Sequence, residues 1–196
     1  FGVSLIGGDT TQSSQLTITV TALGWIEHGQ AITRSGAQVG DYICVSGQVG
    51  DAAFGLKHPG HALQQRLYYP TPRCNLGQQL KGLASSMIDV SDGLAQDLGH
   101  ILKASNVGAK LQLDQLPIDE SLKKLEKQQA WHYALAGGDD YELCFTISPQ
   151  NFEKLLRQQL DVPLTIIGKI TQQTGLSFVY MGENHPLAVQ GYQHFA

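Results

Sequence analysis

Hydrophobic and polar positions change rhythm several times along the chain, and each rhythm predicts an element. Residues 16–26 (Leu-Thr-Ile-Thr-Val-Thr-Ala-Leu-Gly-Trp-Ile) alternate apolar side chains with threonine, the period of two that marks a strand with one buried face. A short β-rich run at 41–46 is followed by the turn chemistry of Gly47-Gln-Val-Gly-Asp51 and by the helix-favouring 52–56. Residues 57–61 break the chain, 62–69 read as helix, and Pro70 and Pro72 stop that helix. A helix over 75–84 and a short buried strand over 86–90 come next. Ser91 is then placed to N-cap a helix with apolar positions at Leu94, Leu98, Ile101 and Leu102, which Gly108 ends. The remainder predicts strands at 109–113, 141–147, 164–169 and 176–181, with helices near 119–128, 130–136 and 149–160. Strands and helices are mixed throughout, without repeats or low-complexity stretches. The fold class is therefore α/β, a mixed sheet with packed helices, with some antiparallel pairing expected among the successive C-terminal strands.

Composition narrows the function classes. With 196 residues, 42% hydrophobic and 15% charged, the chain can bury a full core and is too apolar for disorder. Thirteen basic against seventeen acidic residues give a net charge of −4, with one local basic cluster at Lys123, Lys124 and Lys127, which disfavours a nucleic-acid groove. No apolar run approaches the roughly 20 residues of a membrane span, and no basic segment precedes an apolar one at the start. Cys44, Cys74 and Cys144 are odd in number and form no CxxC pair, so neither a zinc site nor a disulfide framework is indicated. Cys44 and Cys144 lie in apolar runs and are expected as core thiols in a reducing cytoplasm. The opening Phe1-Gly2-Val3 lacks a methionine and runs at once into apolar sequence, as expected of a piece of a larger protein.

Three glycine-acid clusters carry the candidate chemistry: Gly7-Gly8-Asp9-Thr10-Thr11, Asp89-Val90-Ser91-Asp92-Gly93 and Gly137-Gly138-Asp139-Asp140-Tyr141-Glu142. Glycine permits close approach of a ligand to backbone, and a neighbouring carboxylate offers hard oxygen to Mg²⁺. Any one of them also reads as an ordinary capped turn; together they suggest a metal-phosphate site. In the middle cluster Asp89 should end a buried strand and Asp92 should open a helix, so that two carboxylates meet where α/β sheets tend to bind ligands, with Ser91 and free helix-start N–H groups facing a phosphate. An EF-hand is excluded because position twelve from Asp89 is His100, and no Walker A lysine is present. Arg34, after the first long strand, can clamp phosphate oxygens or remain a solvated loop arginine. The histidines form no HExxH and no serine sits in GxSxG, while Trp131 and Tyr133 read as packing residues.

These clusters, together with Thr33-Arg-Ser-Gly-Ala37, Pro70-Thr-Pro-Arg73, residues 97–105 and Gly191-Tyr-Gln-His-Phe195, resemble the C-terminal two-thirds of the bacterial thiamine-monophosphate kinases. That family shares a superfamily with aminoimidazole ribonucleotide synthetase, whose members join a dimerising N-terminal domain to a C-terminal α/β domain. The resemblance implies that residues 1–30 are the end of the N-terminal domain and a junction strand, that 31–196 are the C-terminal domain, and that the rest of the N-terminal domain is absent. It further implies transfer of the γ-phosphoryl of ATP to thiamine monophosphate with Mg²⁺, in a homodimer when full-length. By resemblance Asp9, Asp89 and Asp92 would hold metal, Gly8, Asp9, Arg34 and Ser91 would hold ATP, and Asp139 and Tyr192 would contact thiamine monophosphate. No catalytic base is implied. Asp139 stands where the family usually has Glu, one methylene longer. The alternatives are a catalytically silent ligand-binding or oligomerisation domain, and a superfamily enzyme with another phosphate acceptor.

Overall fold

The computed structural model describes residues 2–189 and 191, which fall into two units divided between Ala31 and Ile32. The described residues of the first unit form no helix or strand, which corrects the expected strand over 16–26. Alternation there favours extended backbone, but a strand exists only through a partner's hydrogen bonds, and no described residue pairs with this stretch. Its apolar side chains stay in solvent, with Leu16 at 92% and Trp25 at 104% exposure.

The second unit is built on β1 (Tyr42–Ser46), β2 (Ala84–Asp89), β3 (Gly108–Gln112), β4 (Leu143–Ile147), β5 (Leu164–Thr171), β6 (Gly175–Tyr180) and β7 (Glu183–Asn184). They form one sheet in the order β2-β4-β1-β5-β3-β6-β7, antiparallel except for the parallel pair β3 and β6. Between them run α1 (Asp51–Lys57), α2 (Gln64–Tyr68), α3 (Cys74–Gln79), α4 (Leu94–Ser105), α5 (Glu120–Lys123), α6 (Lys127–Ala136) and α7 (Pro149–Leu155). Alternate strand residues divide the core between the two faces. Ile43, Val45, Ile88, Cys144 and Ile167 pack with Leu94, Leu98 and Ile101 of α4 and with Ala134 and Leu135 of α6. Cys44, Phe145 and Ile147 face the other way, onto Leu76 of α3 and Leu155 of α7. Both expected core thiols are thus fully buried, whereas Cys74 is exposed. Among the described residues no helix is long and apolar enough to cross a membrane.

The helices expected near 119–128 and over 149–160 end early, at Lys123 and Leu155, and three further boundaries differ from expectation for local reasons. The helix expected over 75–84 ends at Gln79, because Gly82, at φ 70°, turns the chain into β2. The N-cap position of α4 belongs to Gly93 and makes no side-chain cap bond, so Ser91 lies outside the helix. At the other end Asn106, at φ 54° and ψ 46°, supplies the left-handed stop expected of Gly108.

Gly108 has a different task. The successive strands β5 and β6 do not pair with each other as expected; β3 lies between them, and Gly108 pairs with both Thr171 and Gly175. The loop joining β5 to β6 crosses over this residue so closely that a Cβ would sit 1.8 Å from the Gln173 carbonyl oxygen. Gly108→Ala must push that loop away, with an expected cost of roughly 1–3 kcal/mol by analogy with overpacked cores. Urea unfolding checks this, and an unchanged midpoint would mean the crossing yields freely.

Candidate functional site

Because β2 and β4 are antiparallel neighbours with Asp89 opposite Leu143, the chain leaves β2 beside the point where it enters β4. Two connections therefore emerge side by side, residues 90–93 leading into α4 and residues 137–142 arriving from α6. They are joined along their backbones. The Asp139 amide donates to the Ser91 carbonyl (2.9 Å), Tyr141 N–H to the Val90 carbonyl (2.9 Å), and Val90 N–H to the Glu142 carbonyl (2.8 Å). Gly138 permits this approach, since a Cβ there would lie 2.3 Å from the Ser91 carbonyl oxygen.

The 137–142 connection alternates in depth. Asp140 and Glu142 are buried, at 1% and 0% exposure, while Asp139 and Tyr141 face outward. The two outward residues have φ of 66° and 51°, a left-handed backbone that costs non-glycine residues of order 1–3 kcal/mol each. The buried carboxylates that alternate with them, Asp140 and Glu142, hold it. Glu142 accepts from Ser46 Oγ (2.5 Å), from Arg66 (2.6 Å) and from two nitrogens of Arg73 (2.5 and 2.7 Å). Asp140 accepts from the amides of Gly50 (2.6 Å) and Ala52 (3.1 Å), and so caps the N-terminus of α1 from far along the chain. Asp51 is buried nearby, with Oδ2 3.9 Å from Arg66 and Oδ1 without a hydrogen-bond partner.

Burial raises the Asp140 carboxyl to about 7 despite the two amides, and raises Asp51 to about 6 despite Arg66. Both pKa values lie above those of an unfolded chain, so these two groups bind more protons in the native state, and their contribution to stability falls as pH rises from about 4 towards 7. Asp140→Asn, which keeps an acceptor but no titration, is expected to flatten that slope relative to the wild type in unfolding experiments between pH 4 and 8. An identical slope would mean that Asp140 ionises freely in the fold.

The β2–α4 connection has its own anchor. Asp97 Oδ2 accepts from the amides of Ser91 and Asp92, both at 3.0 Å, and its carboxyl is raised by burial and lowered by those bonds. These two N–H groups, which precede the start of α4 at Leu94, are thereby already used. Ser91 and Asp92 nevertheless line a cleft of about 1030 Å³ with Asp139, Tyr141 and Gly191, and with side chains of α1 and α6. Tyr141 donates to Asp139 Oδ1 (3.3 Å), and its hydroxyl pKa is raised by burial, by Asp139 and by the more distant charges of Asp89 and Asp92.

Of the expected site residues, then, Ser91, Asp92 and Asp139 share the cleft, whereas Asp89 is exposed at the end of β2 and does not line it. Arg34 is exposed at the opposite end of α4, where its carbonyl accepts from Ser105 Oγ (3.4 Å). That is about one length of the twelve-residue helix, roughly 18 Å, from Ser91. Gly8 and Asp9 belong to the first unit, in which Asp9 Oδ1 accepts from the Thr10 amide (2.8 Å). Tyr192 lies outside the described residues. Among the described residues no three of His, Cys, Asp and Glu assemble into a metal cage. Sequence reasoning missed Asp51, Arg66, Arg73, Asp97, Asp140 and Glu142 as a supporting frame. The one available signal was the period of two by which Asp140 and Glu142 fall in step with Cys144 of β4.

A mixed sheet carrying helices on both faces, with two glycine-acid connections meeting at one edge of a cleft, defines the class. The chain belongs to the family described as AIR synthase related protein, C-terminal domain, whose model matches residues 35–181. Within it the chain is similar to the thiamine-monophosphate kinase of Haemophilus influenzae, at 45% identity over all of this chain and 64% of that protein. Among solved structures it is similar to the thiamine-monophosphate kinase of Stenotrophomonas maltophilia K279a, with a TM-score of 0.73 and 42% identity over 82% of this chain and 56% of that one. AaThiL complexed with AMPPCP and TMP matches with a TM-score of 0.69 and 28% identity, over 84% of this chain and 54% of that one. The chain spans 64% to 65% of the length of the first curated relatives it matches.

Proposed function

We propose that this chain is the C-terminal part of a kinase that transfers the γ-phosphoryl of ATP to the phosphate of thiamine monophosphate, giving thiamine diphosphate and ADP. The observation that carries the reading is the backbone-joined meeting of the 90–93 and 137–142 connections, which puts Ser91, Asp92 and Asp139 along one cleft. Likeness to proteins named for this activity supports it.

The chemistry asks little of a base, because the acceptor is already an anionic phosphate oxygen; positioning and charge neutralisation make up the catalysis. Asp92 and Asp89 would hold Mg²⁺. Asp89 at the end of β2 and Asp92 in the connection before α4 suit, in kind and number of donors, a cation that usually takes one or two protein carboxylates, keeps water and shares phosphate oxygens. That ion supplies neutralisation of the phosphate charge. Ser91 offers its hydroxyl to a phosphate, Arg34 would reach only a far part of the nucleotide, and Asp139 and Tyr192 take the thiamine end. The working protein is a cytoplasmic homodimer in this reading.

The test is formation of thiamine diphosphate from ATP and thiamine monophosphate, followed by chromatography with and without Mg²⁺, using both the 196-residue chain and a version extended to the length of its relatives. Mg²⁺-dependent product from the extended protein and little from the 196-residue chain is expected. No product from either would refute the kinase reading.

A further inference from the structure

The cleft has a second set of lining residues, from the C-terminal end of α1 and from α6, which nothing above uses: Leu56, His58, His132 and Tyr133. Two of them are held firmly. The buried ring of Phe54 stacks on His58 with centroids 3.9 Å apart and planes 18° apart, and meets Tyr133 edge-on at 5.5 Å and 73°. His58 Nδ1 lies 2.8 Å from the Phe54 carbonyl oxygen. A carbonyl only accepts, so Nδ1 carries a proton, and in the neutral ring Nε2 is then an acceptor. No partner for Nε2 is present among the described residues. A fixed aromatic ring and a fixed acceptor on one cleft suit a flat ligand ring bearing an amine.

We propose that His58 and Tyr133 form the subsite for the heteroaromatic end of the phosphate acceptor, with Tyr133 packing on the ring and His58 Nε2 accepting from its exocyclic amine. The assignment rests on the kinase reading, in which thiamine monophosphate supplies an aminopyrimidine. It makes both residues determinants of acceptor selectivity, with no part in phosphoryl transfer.

Calorimetric titration of the protein extended to the length of its relatives with thiamine monophosphate, and with the thiazole phosphate that lacks the pyrimidine, tests it. His58→Phe keeps the stack on Phe54 and removes the acceptor. It should weaken thiamine monophosphate about tenfold, the equivalent of one lost hydrogen bond, and leave the thiazole phosphate unchanged. His58→Gln restores an acceptor and should recover most of that loss. Tyr133→Leu should weaken thiamine monophosphate, and Tyr133→Phe should not. Equal binding of thiamine monophosphate by wild type and His58→Phe overturns the subsite, as does an equal loss for both ligands. Absence of binding of either ligand to the wild type overturns the kinase reading itself, which separates the two failures.

Discussion

Glu142→Ala should lower the melting temperature by roughly 6 to 20 °C, from a loss of about 3–5 kcal/mol. The side chain has no exposure and gathers hydrogen bonds from Ser46, Arg66 and Arg73. Its removal leaves two guanidinium groups, at 22% and 16% exposure, facing a cavity with no countercharge of comparable geometry. An exposed ion pair contributes only about 0–1 kcal/mol, so burial decides the size of the effect. Glu142→Gln keeps the volume and loses the charge, and should fall between the two. Because Glu142 also follows the left-handed backbone at Tyr141, the damage should reach the cleft, and the amide chemical shifts of Asp139 and Tyr141 report it. A melting temperature within a degree or two of wild type would show that the arginines find other partners.

Asp92→Asn should depress turnover of the extended protein by about two orders of magnitude or more at saturating Mg²⁺, since a metal-held charge contributes several kcal/mol to phosphoryl transfer. Its side chain is half-buried in the cleft, and its backbone amide is tied to Asp97, so an amide in place of the carboxylate leaves the fold in place. Asp89→Asn provides the comparison. Asp89 is exposed and outside the cleft, and if it still serves the metal its loss should cost as much as that of Asp92. Near-normal kcat in either variant, measured beside an unchanged circular dichroism spectrum, returns that residue to a turn role.

The parts of this account that could be read from sequence are those decided by near neighbours. Strands β1 and β4 announce themselves because both faces are buried and the runs Ile43-Cys44-Val45 and Cys144-Phe145 are continuously apolar. Helix α4 follows from Leu94, Leu98, Ile101 and Leu102 on one face. What escaped depends on partners far away in sequence. The alternation over 16–26 specifies a face but not a neighbour, and no described residue pairs with it. Gly108 looks like a helix stop until the loop from β5 is seen passing over it. The acids of 137–142 look equivalent in sequence, yet Asp140 is claimed by the start of α1 and Glu142 by Arg66 and Arg73, some seventy to ninety residues away. Only Asp139 is left to face the cleft, and that selection is a tertiary fact.

The most direct measurement of the central claim is a titration of isotopically labelled chain with thiamine monophosphate, with amide chemical shifts followed residue by residue. The account predicts that the largest saturable shifts fall on Ser91, Asp92, Gly138, Asp139 and Tyr141, on both connections together. Shifts confined to residues outside that cleft, such as those around Arg34 and Ser105, would contradict it.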